Sequence, residues 1–529
     1  MSKLYECKGK FLVLFLVLLF SIYGFSVFAQ EGRGTLRVVL RGDIKTLDPA
    51  HMLDSQSSRV GGQIYENLAT YNKEGEIVPR LATSWEFSED GKKVTFFLRE
   101  GVKFTDGSEF DASVVKYNYD RIMDPEVACY NRDFHAKGIE SVEVVDKYTV
   151  RFHLASRNAA FTANHIITDE TQIISPKSVE EYGYEDTGIN GSGTGPFKFV
   201  EYKEARHVKL VRNENYWGDV PKLEGLTFKP IPERQSAVVE LRTGGVDLLL
   251  GITKESLKTL SEEKDIVISK SPNPSIRGLW FQVKNFEPFS NVNVRKAFLY
   301  GLPKDMVVKS FLEGIAIPLD TLVPVKSWAY DPDIPTYGYD VEKAKTLLEQ
   351  EGWKDEDNDG IREKNGKELK FTVTSPDGRY LADKQICEAA AHSWLEIGAK
   401  VEIEVLEWGA WMSKIFGPEK THDMVFMGWL QRALDPTLFM DDLAMTGNVG
   451  NVHNYSNPTL DAILEKASKI ANQDIRKGLY YAAEQILYDE AMWIPLYNAL
   501  GIAAYNDNLK GYQYSPYDPL DFKDAYFEE

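Results

Sequence analysis

A single long apolar run stands near the start of this chain, and it limits what the remainder can be. Residues 11–20 are an unbroken series of Phe, Leu and Val. Lys3, Lys8 and Lys10 precede the run, and Val27-Phe28-Ala29 stand just ahead of Gln30. A basic start, a short apolar core and small residues before a cut make a secretory signal peptide. The run is shorter than the ~20 residues that span a bilayer. Residues 1–29 are therefore expected to be removed after Ala29, leaving an extracytoplasmic protein; retention as an uncleaved anchor is the competing reading. Cys7 precedes the run and no cysteine follows it closely, so no lipoprotein acylation site is expected.

Beyond Ala29 no apolar stretch approaches membrane length. The longest, residues 246–252, is interrupted by Asp247. The roughly 500 remaining residues must therefore bury their apolar side chains in globular cores, and that is too much chain for one core. A hydrophobic content of 43% with 27% charged residues is ordinary for a folded protein. The net charge of −19 repels phosphate backbones and anionic lipid, which excludes a nucleic-acid partner. Cys129 and Cys387 could bond in an oxidising compartment, but two cysteines are not a scaffold pattern.

Periodicity divides the chain. The first half reads mostly as strands: residues 35–41, the alternation of Val94, Phe96 and Leu98, and a hairpin of 142–145 with 150–154 about Asp146-Lys147. Residues 197–202 and 207–212 form another such pair. The second half alternates helix and strand. Asn457-Pro458 caps a helix continued by Leu460, Ile463, Leu464, Ala467 and Ile470, and Val341, Ala344, Leu347 and Leu348 make another that stops at Gly352. Strands are expected at 401–405 and 423–429. Such alternation implies an α/β fold. Residues 279–283 and 493–498 are the expected links between two lobes, a pair of crossing strands forming a hinge.

A series of short motifs runs in order along the chain: Leu81-Ala82-Thr83-Ser84-Trp85; Phe97-Leu98-Arg99-Glu100-Gly101-Val102-Lys103-Phe104-Thr105-Asp106-Gly107; Gly193-Thr194-Gly195-Pro196-Phe197; Asn213-Glu214-Asn215-Tyr216-Trp217; Asn293-Val294-Arg295-Lys296-Ala297; and Trp493-Ile494-Pro495-Leu496-Tyr497. In this the chain resembles the extracytoplasmic solute-binding proteins of ABC importers, family 5, the peptide/nickel class. The resemblance implies a two-lobe periplasmic-binding-protein fold, type II-like, with lobe one at 30–277 and 494–529. A strand-rich subdomain would be inserted in it near 65–188, and lobe two would span 285–493. It also implies a monomer that encloses a solute between its lobes and docks on a membrane permease. The ligand would be an oligopeptide or, alternatively, an oligosaccharide. A secreted glycoside hydrolase is the alternative of another class, although no H-E-x-x-H or G-x-S-x-G motif is present. Gly193-Thr194-Gly195-Pro196 lacks the Lys and following helix of a phosphate loop and reads as a turn.

Candidate ligand residues cluster after the expected strand at 423–429. Peptide-binding relatives carry a Gly-Trp-x-x-Asp-x-x-Asp-Pro pattern, whose first Asp pairs with the peptide's amino group. Trp429, Asp435 and Pro436 match it, but Arg432 replaces that Asp. A guanidinium prefers a carboxylate, a phosphate or a ring face. Trp408, Trp411, Trp280, Phe281, Tyr497 and Asn498 are further candidates, with core packing as the competing role. Asp355, Asp357 and Asp359 precede Gly360 in a calcium-loop-like pattern, with Glu363 at the ninth position. Gly366 stands at the twelfth, where an EF-hand needs Glu. An acidic turn is the simpler reading, a structural calcium the alternative, and no other cofactor is expected.

Overall fold

The longest strand, Trp493–Asn506, is buried along nearly all its length. In the computed structural model, which describes residues 34–528 apart from 53, 128, 130–131, 431–433 and 517–520, this strand belongs to two bodies. Its first half pairs antiparallel with Ser275–Phe281 and Ala316–Pro318, and its second half with Leu248–Leu250 and Ile266–Pro272. A strand covered on both faces needs a nearly continuous apolar run, and Ile494 to Tyr505 supplies one broken only by Asn498. The signal-peptide expectation at 1–29 and candidate Arg432 lie outside the described residues.

The strand joins two lobes of mixed α/β structure. On the lobe-one side the sheet continues through Leu248–Leu250, Thr35–Leu40, Gly225–Pro230, His207–Arg212 and Phe197–Lys203. Thr35–Leu40 runs parallel to Gly225–Pro230 and to Leu248–Leu250. On the lobe-two side the order is Ser275–Phe281, Met424–Leu430, Lys370–Pro376 and Lys400–Leu406, the last three mutually parallel. A separate antiparallel sheet, Ala82–Phe87, Lys93–Leu98, Thr149–Leu154 and Ile139–Asp146, closes on its own core around Phe96, Phe152 and Phe161.

Local chemistry sets the element ends. Asn457 accepts from the backbone N–H of Thr459 and Leu460, and Pro458 opens the helix Pro458–Lys469. Gly352 takes a positive φ of 85° just beyond the helix Val341–Gln350. Gly193 and Gly195 press on the Ile64 carbonyl, where any Cβ would collide, so this segment is a close-packed turn. The first half is less strand-rich than its periodicity suggests: Ser55–Ile64, Ala112–Met123, Pro176–Asn190 and Arg234–Arg242 are helices. Ser55–Ile64 contains two glycines and few apolar residues, so its helical period is weak and its Asp54 cap carries the signal. Cys129 and Cys387 are both buried thiols, and burial raises the pKa of each, that of Cys129 to about 11.

The chain changes partners upstream and downstream of the segments expected to cross. Residues 279–281 lie wholly within lobe two, opposite Phe426–Met424 and Ile494–Trp493. The change falls instead between Pro272 and Ser275 and, on the long strand, near Ala499–Gly501. Asn498, fully buried, fastens the two passages: its Nδ2 donates at 2.7 Å to the carbonyls of both Asn273 and Ser275. Gly501 leaves room for the Tyr514 hydroxyl and the Asn273 carboxamide, which a Cβ would meet. Asn498→Ala removes two buried hydrogen bonds and is expected to cost about 1–3 kcal/mol. Asn498→Asp should cost more, because a carboxylate would face two carbonyl oxygens. Urea denaturation midpoints of the two variants check the order.

Candidate functional site

Strand direction locates the cleft. Leu250 pairs with Ala503, and the Gly251 N–H donates to Ile502, so the carboxyl ends of the lobe-one parallel strands point at the crossing. In lobe two, Arg277 lies opposite both Tyr497 and Gly428, and Pro376 lies beside Leu406. The carboxyl ends of Lys370–Pro376, Lys400–Leu406 and Met424–Leu430 therefore point at the same crossing from the other side. Ligand sites of α/β folds form at such ends. The segments that follow these strand ends are 41–44, 231–234 and 251–253 from lobe one, and 377–382, 407–411, 429–430 and 434–436 from lobe two.

The sequence candidates separate on this frame. Trp408 opens the helix Trp408–Phe416 and remains 37% exposed, with one ring stacked on Trp411 at 4.9 Å. Trp429 is half-buried, and its indole N–H has no hydrogen-bond partner among the described residues. Trp411, Trp280 and Phe281 are not at the cleft surface but inside lobe two. Trp280 stacks on Trp493 and His453, and Phe281 packs against Phe289 and Phe298. Tyr497 is buried with its hydroxyl on the Leu381 carbonyl at 2.9 Å, and Asn498 fastens the crossing. Trp280 and Phe281 lie on a strand buried inside the lobe, and Trp411 on the inner face of a helix.

Asp435 is held from behind. Arg476 makes a bidentate ion pair with it at 2.6 and 2.9 Å, and both are buried. Arg476 also lies over the Trp328 ring. Asp435 in turn accepts from the Thr437 N–H and hydroxyl at the start of the helix Thr437–Ala444. It thus anchors the end of the 429–436 segment. Asp441, one turn further on, is pushed up to about 8, first by burial and then by Asp435. Leu434, in the same segment, donates its N–H to the Tyr71 hydroxyl of the strand-rich subdomain at 2.9 Å.

Periodicity does not reveal the arginines. Arg277 lies flat across Gly428, where a Cβ would strike its Cδ and guanidinium, and 4.8 Å from the Tyr380 ring. Its Nη1 donates to the Ile276 and Trp429 carbonyls. Burial lowers its pKa, and among the described residues no carboxylate pairs with it. Arg379 stands 4.8 Å over Trp408, exposed and likewise without an acid partner among the described residues. One signal was available: Arg277 interrupts the apolar run of Ser275–Phe281. Asp355, Asp357, Asp359 and Glu363 converge so that their ligand oxygens lie within 4.8 Å of one another. That donor set suits a hard cation, but backbone N–H groups of the same loop already occupy Asp355, Asp357 and Asp359. The loop precedes the amino end of Lys370–Pro376, at the edge of the sheet away from the cleft.

Two α/β lobes joined by a shared strand, with their strand ends facing across a cleft, define a bacterial solute-binding protein. The family model for bacterial extracellular solute-binding proteins, family 5 (middle), matches residues 76–451, and the chain belongs to that family. It is a binding protein, not an enzyme. It is 29% identical over 496 residues to the glutathione-binding protein GsiB of Escherichia coli (strain K12), covering 92% of this chain and 93% of the relative. It is 29% identical over 504 residues to heme-binding protein A of Haemophilus influenzae, covering 89% and 88%. Among solved structures, DppA from Helicobacter pylori in complex with the peptide STSA matches with 29% identity and a TM-score of 0.70, over 94% of this chain and 98% of that one.

Two outcomes follow from the Asp435 network. Arg476→Met strands a buried carboxylate, and an unfolding loss of about 3–5 kcal/mol is expected in chemical denaturation. Asp441 has a folded-state pKa above its ordinary value, so the native state keeps a proton that the unfolded chain has released. The stability this gives is complete below about pH 4 and is lost as pH rises toward 8. Asp441→Asn should therefore gain melting temperature over the parent at pH 9 and not at pH 4, and an equal difference at both pH values would refute the assignment.

Proposed function

We propose that this protein captures an oligopeptide-like solute outside the cytoplasm by closing its lobes, and delivers it to the permease of an ABC importer. Export by cleavage after Ala29 completes the reading. The observation that carries it is the pairing of exposed Arg379 and Trp408 at the strand ends. A guanidinium over a ring suits a carboxylate attached to an apolar body. Sugar binding finds less support, because Trp280 and Trp411 are spent on packing and the Trp408 ring is covered by Trp411 and Arg379. The peptide in the DppA complex and the name of the glutathione-binding relative point the same way. Arg432 takes the position where an acid would meet a peptide's amino group, so the ligand's charged anchor here is its acid end.

Closure works by population shift. Ligand touches both lobes only in the closed state and favours it by that difference in contact. The passages at 272–275 and 499–501 are where the lobes turn, since there the chain has only two crossings to bend. Mass spectrometry of solute retained on gently purified protein should recover peptides, and solution scattering with a retained peptide should show a smaller radius of gyration than without it. Recovery of neutral sugars, or an unchanged radius at saturation, would refute the reading.

A further inference from the structure

Lobe one carries its own set of uncompensated cations. Arg41 stands at the carboxyl end of Thr35–Leu40, beside Gly251, and Arg59 lies on the helix Ser55–Ile64. The Gln56 side-chain oxygen joins them, accepting from the Arg41 N–H at 2.9 Å and from Arg59 Nη1 at 3.3 Å. Burial lowers the pKa of both arginines, and each is lowered further by a neighbouring cation: Arg41 by Arg234, and Arg59 by Arg41. Tyr514 acts on Arg59 in the opposite sense, and its own hydroxyl, which sits against Gly501 at the crossing, is raised by burial to about 12.

Like charges gathered in a partly desolvated rim are unfavourable unless something anionic joins them. Nearby carboxylates are already committed. Asp43 accepts from the Tyr202 hydroxyl and the Ala205 N–H, Asp54 caps Gln56 and Ser57, and Glu233 caps Gln235 and Ser236. Neither Arg41 nor Arg59 has an ion pair among the described residues. In a chain of net charge −19 with 80 acidic residues, two neighbouring arginines at the cleft edge without an ion pair among the described residues stand out.

We infer that Arg41 and Arg59 form an anion subsite on lobe one, opposite Arg277 and Arg379, so that the solute bridges the lobes with at least two carboxylates. The inference rests on the cleft assignment and deepens the peptide reading: the preferred ligand is an acidic peptide or peptide conjugate, not a neutral one. Such a ligand relieves the repulsion within each lobe and draws the two cationic edges together. Anionic charge on the solute thereby becomes the drive for closure.

Calorimetric titration of the mature protein with three probes tests this: tri-alanine, Ala-Glu-Glu and the non-peptide tricarballylate. Ala-Glu-Glu is expected to bind at least tenfold tighter than tri-alanine. Arg59→Met should weaken Ala-Glu-Glu about ten- to hundredfold, the loss of one charge-assisted bond. The ligand-free melting temperature should hold or rise, because a repulsion is removed, and Arg41→Met should repeat the pattern. Equal affinity for tri-alanine and Ala-Glu-Glu, or an Arg59→Met variant with unchanged Ala-Glu-Glu affinity, overturns the subsite and leaves the peptide reading intact. Binding of tricarballylate without either peptide keeps the subsite and overturns the peptide reading. Binding of none of the three overturns the subsite.

Discussion

Two carbonyls and one carboxamide hold the halves of this protein in register. The Asn498 Nδ2 donates to Asn273 and Ser275, and so ties the outgoing passage of the chain to the returning one at the point where each changes lobe. A hydrogen bond shielded from water is directional and costly to leave unmade. It resists separation of the strands. Everything functional is placed relative to that point. The parallel strands of both lobes end facing it, and their loops supply the cleft.

Electrostatics then divides the cleft from the rest of the surface. The chain is strongly acidic, yet Arg41, Arg59, Arg277 and Arg379 all meet the seam without a carboxylate partner among the described residues. Elsewhere buried arginines are matched: Arg121 with Asp48, Arg476 with Asp435, Arg295 with Glu490. The contrast separates two uses of one side chain. A matched guanidinium locks a loop or helix end, as Arg476 locks the 429–436 segment. An unmatched one leaves its charge open to an anionic ligand.

Much of the architecture was legible in the residues. The hairpin at Asp146-Lys147, the Asn457-Pro458 helix start and the helix–strand alternation of the second half rest on local rules, because caps, turns and periods are decided within a few residues. The polar helices of the first half were missed for the same reason. Ser55–Ile64 has little apolar period, and its packing comes from distant partners. The aromatic candidates divided. Trp408 stays partly exposed after its strand, while Trp280, Phe281 and Trp411 became core, since a ring's type does not say how deeply it will be buried.

The sequence by itself determined the class of the protein: an α/β chain too long for one core, acidic, with an ordered set of motifs shared along its length. Those properties depend on composition and on neighbours in sequence. Where the chain crosses, that Asp435 is bound to Arg476, and that arginines far apart in sequence meet near the crossing without an ion pair among the described residues are settled in three dimensions. Charge pairing is a matter of a few ångströms in space, and no spacing along the chain reveals which of 80 carboxylates stands beside which guanidinium.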